Sequence, residues 1–305
     1  MKVFVTGVSG LVGHGIAKFF IENGHKVIGT SFKKKIISND KNYKILNNFD
    51  ISSSSSIKVF EKISKKEKIA AVINCAAKLP PFKKKGKASY NIQDYIDVNY
   101  ISVIKLISIS KQNNIRHFIN ISGCATDFYK AGINNEYECY LLSKKTTDLF
   151  INNEINKKNF FYLSTIKISA PYGYIFNRNN IFVKFIKNAI KNKPLTIFGN
   201  GKRGQVFTFT EDVGKCCLKI IFKKLSGTFY CMGNDSIKTK KLAKKIIKTF
   251  HSKSVLKILN KFNEKNTNNV QLLREIKNFN IRPTDLNQAL SKILIFLKKK
   301  KNFKL

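Results

Sequence analysis

A tyrosine and a lysine four residues apart form the pair in this chain whose spacing best suits acid–base chemistry. Tyr140 and Lys144 fall in a segment with helical patterning, where positions four apart share one face. A lysine ammonium beside a phenol favours the phenolate and lowers the tyrosine pKa from about 10 toward neutrality. Tyr140 is therefore a candidate to exchange a proton with a substrate hydroxyl or carbonyl while a hydride moves. The alternative is an ordinary surface pair, since this spacing often occurs by chance.

A serine at the end of a predicted strand is the third member of this candidate site. Ser122 follows the predicted strand 117–121, one strand–helix unit before Tyr140. Its hydroxyl can donate to the same substrate oxygen. Three such residues in this order are more specific than the Tyr–Lys spacing alone.

The first strand leads into a glycine-rich turn that suits a dinucleotide. The apolar residues 3–5 run into Thr6-Gly7, and a helical pattern starts at Leu11. A helix N-terminus offers free N–H groups to a pyrophosphate, and glycine permits close approach of the backbone. The alternative is an ordinary strand–helix turn. The predicted cofactor contacts in this stretch are Gly7, Ser9, Gly10, Leu11, Val12 and Gly13.

The residues after the second strand bear on the choice between NAD and NADP. NAD sites usually place a carboxylate here, and NADP sites place a cation for the 2′-phosphate. Ser31 and Lys33 stand here with no Asp or Glu, which favours NADP unless Lys33 merely belongs to a general lysine excess. Asp50 and Ile51, after the third strand, are candidates for the adenine. The small residues Cys75, Ala76 and Ala77 close the fourth strand and leave room for a cofactor at the sheet edge.

Alternating strands and helices position these residues. The pattern predicts an α/β fold: a doubly wound parallel (Rossmann) sheet over residues 1–168, with a smaller C-terminal α/β substrate lobe over 169–305 interleaved with the last sheet strands. The predicted strands of the first unit are 3–6, 26–30, 43–46, 70–74, 117–121 and 160–168, and its helices are 11–22, 55–67, 90–113 and 136–153. Later helices are predicted at 181–191, 211–224, 239–250 and 284–297, with strands at 195–198, 205–209 and 228–232. Residues 252–280 carry no clear motif.

The chain is strongly basic, with 57 Lys and Arg against 18 Asp and Glu, a formal charge of +39. Only five of those basic residues are Arg, whereas specific phosphate and base recognition favours Arg. The Lys, Asn and Ile excess in every segment indicates a compositional bias, so we expect no specific nucleic-acid partner. No apolar run reaches the roughly 18 residues of a membrane span, and the start of the chain is a core strand rather than a signal peptide. Six cysteines without metal-ligand spacing predict no metal site and, with the absence of an export signal, a cytoplasmic protein.

In order along the chain, these motifs resemble those of the extended short-chain dehydrogenases/reductases of the sugar-nucleotide epimerase/dehydratase type. TGVSGLVG at residues 6–13 resembles the family's TGxxGxxG, and VINCAA resembles its fourth-strand motif. Tyr140 and Lys144 match YxxxK, Ser122 matches the Ser/Thr position, and Asp97-Val-Asn99 matches the VN of the long helix. The stretch from Lys167 to Gly173 resembles R-x-x-x-x-Y-G, and residues 194–201 and 207–213 resemble a later family region.

The resemblance implies roles for these residues. Tyr140 would be the acid/base, and Lys144 would tune it and hold the nicotinamide ribose. Asn99 would hold a helix bend and a proton-relay water, and Ala170 would contact the cofactor. The implied assembly is a homodimer through the two long helices.

Departures from the family pattern limit the choice of reaction. The Asp-Glu pair that follows the Thr in the dehydratases is missing after Thr126, which disfavours dehydration. Cys124 resembles a cysteine of deoxysugar epimerase-reductases and could move a proton only if its thiol were activated, with a buried packing role as the alternative. Gln205 stands where the family often has an Arg for the nucleotide diphosphate, so either Arg203, two residues earlier, takes its place or the substrate is held differently.

The sequence thus predicts an NAD- or NADP-dependent epimerase or reductase acting on a nucleotide sugar, in surface-polysaccharide synthesis. A simple ketone or 4-keto-sugar reductase is the alternative within the fold. A non-catalytic NAD(P)- or RNA-binding protein is the alternative if the chain is not an enzyme. Ser122, Tyr140 and Lys144 argue against it, since a retired site has no physical need of them.

Overall fold

The computed structural model describes residues 1–81, 91–129, 135–155, 161–176, 180–259 and 279–299, and its strands and helices alternate as the sequence predicts. The first elements are β1 (Lys2–Val5), α1 (Leu11–Glu22), β2 (Lys26–Ser31), β3 (Tyr43–Asn47), α2 (Ser54–Lys66), β4 (Ala71–Asn74), α3 (Ile92–Ile96), α4 (Ser102–Gln112), β5 (His117–Gly123), α5 (Glu136–Ile155) and β6 (Tyr162–Ile168). The later ones are β7 (Ala170–Tyr172), α6 (Ile181–Ile190), β8 (Leu195–Phe198), β9 (Gly204–Phe209), α7 (Thr210–Lys223), β10 (Gly227–Cys231), β11 (Ser236–Lys238), α8 (Thr239–Thr249), β12 (Leu256–Leu259) and α9 (Leu286–Lys299).

Seven parallel strands form the central sheet in the order β10-β6-β5-β4-β1-β2-β3. The strand order reverses between β1 and β4, so the chain winds outward in both directions from this pair. In open α/β sheets the crevice for a ligand lies at the carboxyl ends of the strands at such a point. The predicted doubly wound parallel sheet is confirmed.

Alternating apolar residues along each strand bury both faces of the sheet. Val3 and Val5 of β1 point to the layer of α1 and α7, whereas Phe4 points to the layer of α2, α4 and α5. All three side chains are fully buried. A parallel sheet covered by helices on both faces has this pattern of near-continuous apolar strands.

The chain after β6 contributes both to the central sheet with its helix layer and to a second hydrophobic core. Strand β10 pairs in register with β6, and α7 packs beside α1, where Gly214 lies against the Phe19 ring. The remaining elements build a second core around Phe182, Phe209 and Leu290. This core includes α6, α8, α9 and the small sheets β11-β9-β7 and β12-β8. The domain division at residue 168 stays a prediction.

Four elements differ from the sequence prediction. Strand β12 lies within the segment that carried no recognisable motif, and β7 and β11 were not predicted. The long helix is interrupted by a π-helical turn, Asp97–Ile101, that joins α3 to α4. The predicted starts of the long helix at Tyr90 and of the sixth strand at Phe160 lie outside the described residues, as do residues 260–278.

No helix in the described part of the chain has the length and apolar character needed to cross a membrane.

Leu149 of α5 is 57% exposed although apolar. The predicted pairing of two chains through the long helices stays a prediction.

Candidate active site

A cavity of about 990 Å³ runs along the carboxyl ends of β1, β4 and β5 and reaches β2 and β7. It lies at the point of the sheet where the strand order reverses. Most of the residues predicted from the sequence line it, namely Gly7, Ser9, Gly10, Leu11, Val12, Gly13, Lys33, Asp50, Ile51, Cys75, Ala76, Ala77, Ser122, Cys124, Tyr140, Lys144 and Ala170. Ser31 and Asn99 are the two predicted residues that do not.

The backbone of the glycine turn packs so closely that a side chain at Gly7 or Gly13 would crowd neighbouring backbone atoms. Gly7 adopts a φ of +68°, which L residues with side chains rarely adopt. A Cβ on Gly13 would lie 2.4 Å from the Gly7 carbonyl oxygen, so helix α1 starts as close to the turn as backbone permits. No side chain caps the start of α1 at Gly10, which leaves the first N–H groups of the helix for a ligand. These features fit the pyrophosphate of a dinucleotide.

Thr6, to which the sequence analysis gave no role, holds the end of the neighbouring strand β4 in place. Its hydroxyl oxygen accepts hydrogen bonds from the backbone N–H groups of Cys75 and Ala76, each at 3.0 Å, and its proton goes to Asn74 Oδ1 at 2.7 Å. The turn after β1 and the turn after β4 are thereby held together. The signal was present in the sequence, since a buried Thr directly before Gly7 needs hydrogen-bond partners.

The end of β2 places Lys33 rather than Ser31 at the cavity. Ser31 is fully buried and its hydroxyl donates to the Lys34 carbonyl, so it does not face a ligand. Lys33 lines the cavity, and the backbone N–H of Gly7 donates to Thr30 Oγ1 at 3.2 Å. The cation expected for a 2′-phosphate therefore lies at the cavity, without the serine predicted beside it.

Asn99 lies in the π-helical turn and ties three elements together. Its amide nitrogen donates to the Lys78 carbonyl at 3.0 Å and to Ser143 Oγ at 2.9 Å, and its amide oxygen accepts from the Lys78 N–H at 2.8 Å. Asn99 is buried, and its side chain holds the segment after β4 against α5. The π-helical turn lies where the resemblance implies a helix bend, and such turns are frequent at functional sites. The proton-relay role of Asn99 stays a prediction.

Lys144 and Tyr140 face the cavity from α5. Lys144 is 2% exposed, and its Nζ donates to the Ile121 carbonyl oxygen at 2.8 Å. Burial lowers the Lys144 pKa, while the charge of Asp148 and the thiol of Cys75 raise it. Tyr140 lines the same cavity and lies one helical turn before Lys144, on the same face of α5.

The hydroxyl of Ser122 is directed differently from the sequence expectation. Its Oγ donates to Asp148 Oδ2 at 3.0 Å, so its proton is used within the protein. Thr126 Oγ1 donates to the same carboxylate oxygen at 2.8 Å. Toward the cavity the Ser122 oxygen is thus an acceptor rather than a donor. Asp148 was missed in the sequence, although Tyr140, Lys144 and Asp148 follow one another at steps of four.

Cys124 is not activated by its surroundings. The thiol is 2% exposed and donates to Met232 Sδ at 3.4 Å. Burial and, to a smaller extent, the charge of Asp127 raise its pKa to about 12. At neutral pH the thiol stays protonated, which favours the packing role over proton transfer through a thiolate.

Gln205 lines the cavity, whereas the side chain of Arg203 is exposed and is not among the described residues that line it. Lys167, which stands where the family pattern has Arg, is buried and pairs with Asp127 and Asp148. The described residues contain no cluster of His, Cys, Asp and Glu arranged to hold a metal ion.

Comparison with known proteins places this chain in a family. The model of the NAD dependent epimerase/dehydratase family matches residues 3–233. The chain belongs to that family. The resemblance stated from the sequence motifs is confirmed, and the protein is an enzyme of the extended short-chain dehydrogenase/reductase type.

Individual relatives of this epimerase/dehydratase family member are distant. UDP-glucuronate 4-epimerase of Thermodesulfobacterium geofontis is 23% identical over 232 residues, 69% of this chain and 68% of that protein. Human dTDP-D-glucose 4,6-dehydratase is 24% identical over 266 residues, 81% of this chain and 73% of that protein. The crystal structure of UDP-N-acetylglucosamine 4-epimerase from Bacillus cereus superposes with a TM-score of 0.72 at 19% identity, covering 99% of this chain and 98% of that one. The relatives are nucleotide-sugar enzymes, and the fold is the same.

Proposed function

We propose that this enzyme epimerises a nucleotide-linked hexose at a hydroxyl-bearing carbon through transient NAD-dependent oxidation. The observation that carries the proposal is the convergence of Ser122, Tyr140 and Lys144 on the cavity that begins at the glycine turn. The named relatives are 4-epimerases and a 4,6-dehydratase of three different nucleotide sugars, which supports carbon 4 as the reacting position and favours no particular sugar. A role in surface-polysaccharide synthesis is part of the same proposal.

Each residue has a distinct task in this reaction. A bound nicotinamide supplies the hydride acceptor and donor. Tyr140 takes the proton of the sugar hydroxyl as the carbon is oxidised and returns it when the hydride comes back. The charged Lys144 keeps the phenol acidic and holds the nicotinamide ribose. The Ser122 oxygen, whose own proton goes to Asp148, orients the sugar by accepting a hydrogen bond from a neighbouring hydroxyl, since the reacting hydroxyl gives its single proton to Tyr140.

The surroundings of Asp127 favour epimerisation over dehydration. Asp127 follows Thr126 at the place where the dehydratase pattern carries its acid/base pair, and no Glu follows it. Its carboxylate contacts Lys167 Nζ and accepts a hydrogen bond from the Tyr230 hydroxyl at 3.0 Å. A carboxylate engaged in this way is not positioned to remove a proton from a sugar carbon.

For the cofactor we propose that NADP is accepted as well as NAD. Lys33 lines the cavity after β2 and no carboxylate follows the strand to repel a 2′-phosphate. Calorimetric titration should give a dissociation constant for NADP that is no larger than that for NAD. Lys33→Ala should weaken NADP selectively, and equal losses for both cofactors would contradict the proposal.

The reaction is tested with purified enzyme and a panel of UDP-, GDP- and dTDP-sugars, with the epimers separated chromatographically. Tyr140→Phe should lose activity by at least about a hundredfold, because proton transfer typically contributes that much. Tyr162→Phe removes a hydroxyl at the amino end of β6, beside His117 and away from the carboxyl ends that line the cavity, and this variant should retain activity. Near-wild-type turnover by Tyr140→Phe with cofactor bound would overturn the mechanism. Stoichiometric consumption of added NADH or NADPH would identify a reductase instead.

A further inference from the structure

A buried row of alternating charges extends from Lys144 away from the cavity. Lys144 is followed by Asp148 on α5, then by Lys167 on β6 and Asp127 in the turn after β5, and Tyr230 of β10 hydrogen-bonds Asp127. The Lys167 Nζ lies 3.5 Å from Asp148 Oδ2 and in contact with Asp127 Oδ1. A buried ion pair rarely adds to stability over an apolar pair of similar size, so such a row calls for another explanation.

Asp148 is the member of the row that touches the candidate site. It is 2% exposed, and its Oδ2 accepts the protons of Ser122 and Thr126 at 3.0 and 2.8 Å. Its Oδ1 has no hydrogen-bond partner among the described residues. One helical turn separates Asp148 from Lys144, so the two side chains lie on the same face of α5 and cover the end of β5.

We propose that Asp148 is a positioning residue of this site, which orients Ser122 through Oδ2 and supplies the counter-charge that the buried ammonium of Lys144 requires. The proposal rests on the proposed function only for the tasks of Ser122, Tyr140 and Lys144.

The groups around Lys144 support this assignment. Burial disfavours the charged form of Lys144 and lowers its pKa, whereas Asp148 raises it. Cys75 also acts on Lys144, but burial raises the Cys75 pKa to about 12, so its thiol is uncharged at neutral pH. On its other side Asp148 lies next to Lys167, which is paired with Asp127, and the raised pKa values of Cys124 and Tyr230 keep those two groups neutral. Asp148 is thus the anion that faces Lys144.

The experiment measures the ionisation of Tyr140 by phenolate absorbance, as the difference between each protein and the same protein carrying Tyr140→Phe. Burial raises the pKa of other tyrosines, including Tyr43, Tyr95 and Tyr172, so they do not obscure a Tyr140 signal at lower pH. Neither cofactor nor sugar is present. A failure of the proposed reaction therefore leaves this test intact.

Asp148→Asn keeps a hydrogen-bond acceptor for Ser122 and Thr126 but removes the charge. Lys144 should then lose its proton at lower pH, and the Tyr140 midpoint should rise by about one pH unit toward its ordinary value. If Lys144 kept its charge without Asp148, losing a negative charge would leave the midpoint unchanged or lower it. That result would overturn the proposal. Asp148→Glu, which retains the charge, should give a midpoint near that of the wild type.

A double variant separates this role from a structural one. Asp148→Asn with Lys167→Met restores the buried net charge, so its free energy of unfolding should recover toward the wild-type value. Its Tyr140 midpoint should still lie about one pH unit above that of the wild type. A wild-type midpoint in the double variant would mean that Asp148 acts only through Lys167, and would refute the assignment. The double variant also serves if Asp148→Asn alone does not fold.

Discussion

Cys124 shows how burial decides the chemistry of a single residue. Its thiol lies at the cavity, yet burial raises its pKa to about 12 and its proton goes to Met232. Since the thiolate is the reactive form, we expect Cys124→Ala to change turnover of an identified nucleotide sugar by less than about fivefold. The loss of a small buried side chain should lower the free energy of unfolding by about 1 kcal/mol, measured by denaturant titration.

The matched control for this prediction is Cys139→Ala, because Cys139 is also fully buried but is not among the residues that line the cavity. Both variants should behave alike in turnover and in stability. A hundredfold loss of turnover in Cys124→Ala alone would show that this thiol takes part in proton transfer after all.

At the scale of single elements, the glycine turn and helix α1 form one rigid unit. A Cβ on Gly13 would lie 2.4 Å from the Gly7 carbonyl oxygen, so Gly13→Ala must push the start of α1 away from the turn. Because that helix start supplies the N–H groups for the pyrophosphate, we expect NAD affinity to fall more than tenfold in calorimetric titration.

Gly24→Ala gives the comparison for the turn. Gly24 has a φ of +75° and open space around its Cβ position, at the far end of α1. Alanine there should cost about 1 kcal/mol of stability through backbone strain and leave NAD affinity unchanged. Equal NAD affinity in the Gly13 and Gly24 variants would contradict the cradle assigned to Gly7–Gly13.

The elements of the central sheet were predictable because local patterning alone encodes them. Helix α1 has the same bounds, residues 11–22, in the prediction and the structure, since its apolar period and its Asn-Gly end are both local signals. The π-helical turn at Asp97–Ile101 was not predictable from the pattern, because it depends on the bonds of Asn99 to Lys78 and Ser143. The direction of the Ser31 hydroxyl was not predictable for the same reason: its partner, the Lys34 carbonyl, comes from a loop conformation that spacing does not specify.

At the scale of the whole molecule, the least predictable features are those made by distant segments. Asp148, Lys167 and Asp127 meet only because α5, β6 and the turn after β5 converge, so no single motif contains their row of charges. Strand β10 joins the central sheet beside β6 although the intervening elements, apart from α7, build mainly the second core. Long-range pairing of this kind, more than propensity, decides which residues of the C-terminal half serve which core.

The charge of the whole chain makes a prediction that separates non-specific attraction from function. With a net charge of +39 and only five Arg, the protein should bind nucleic acid through phosphates alone. Fluorescence anisotropy with several unrelated duplexes and single strands should give equal affinities. If roughly six to ten phosphates are contacted, the affinities for nucleic acid should fall by about a thousandfold or more between roughly 50 and 200 mM salt. NAD presents only one pyrophosphate to the glycine turn, so its affinity should fall far less over the same range. Binding to one sequence that persists at high salt would instead favour a nucleic-acid partner, because base contacts by hydrogen bonding are much less sensitive to counterions than phosphate contacts.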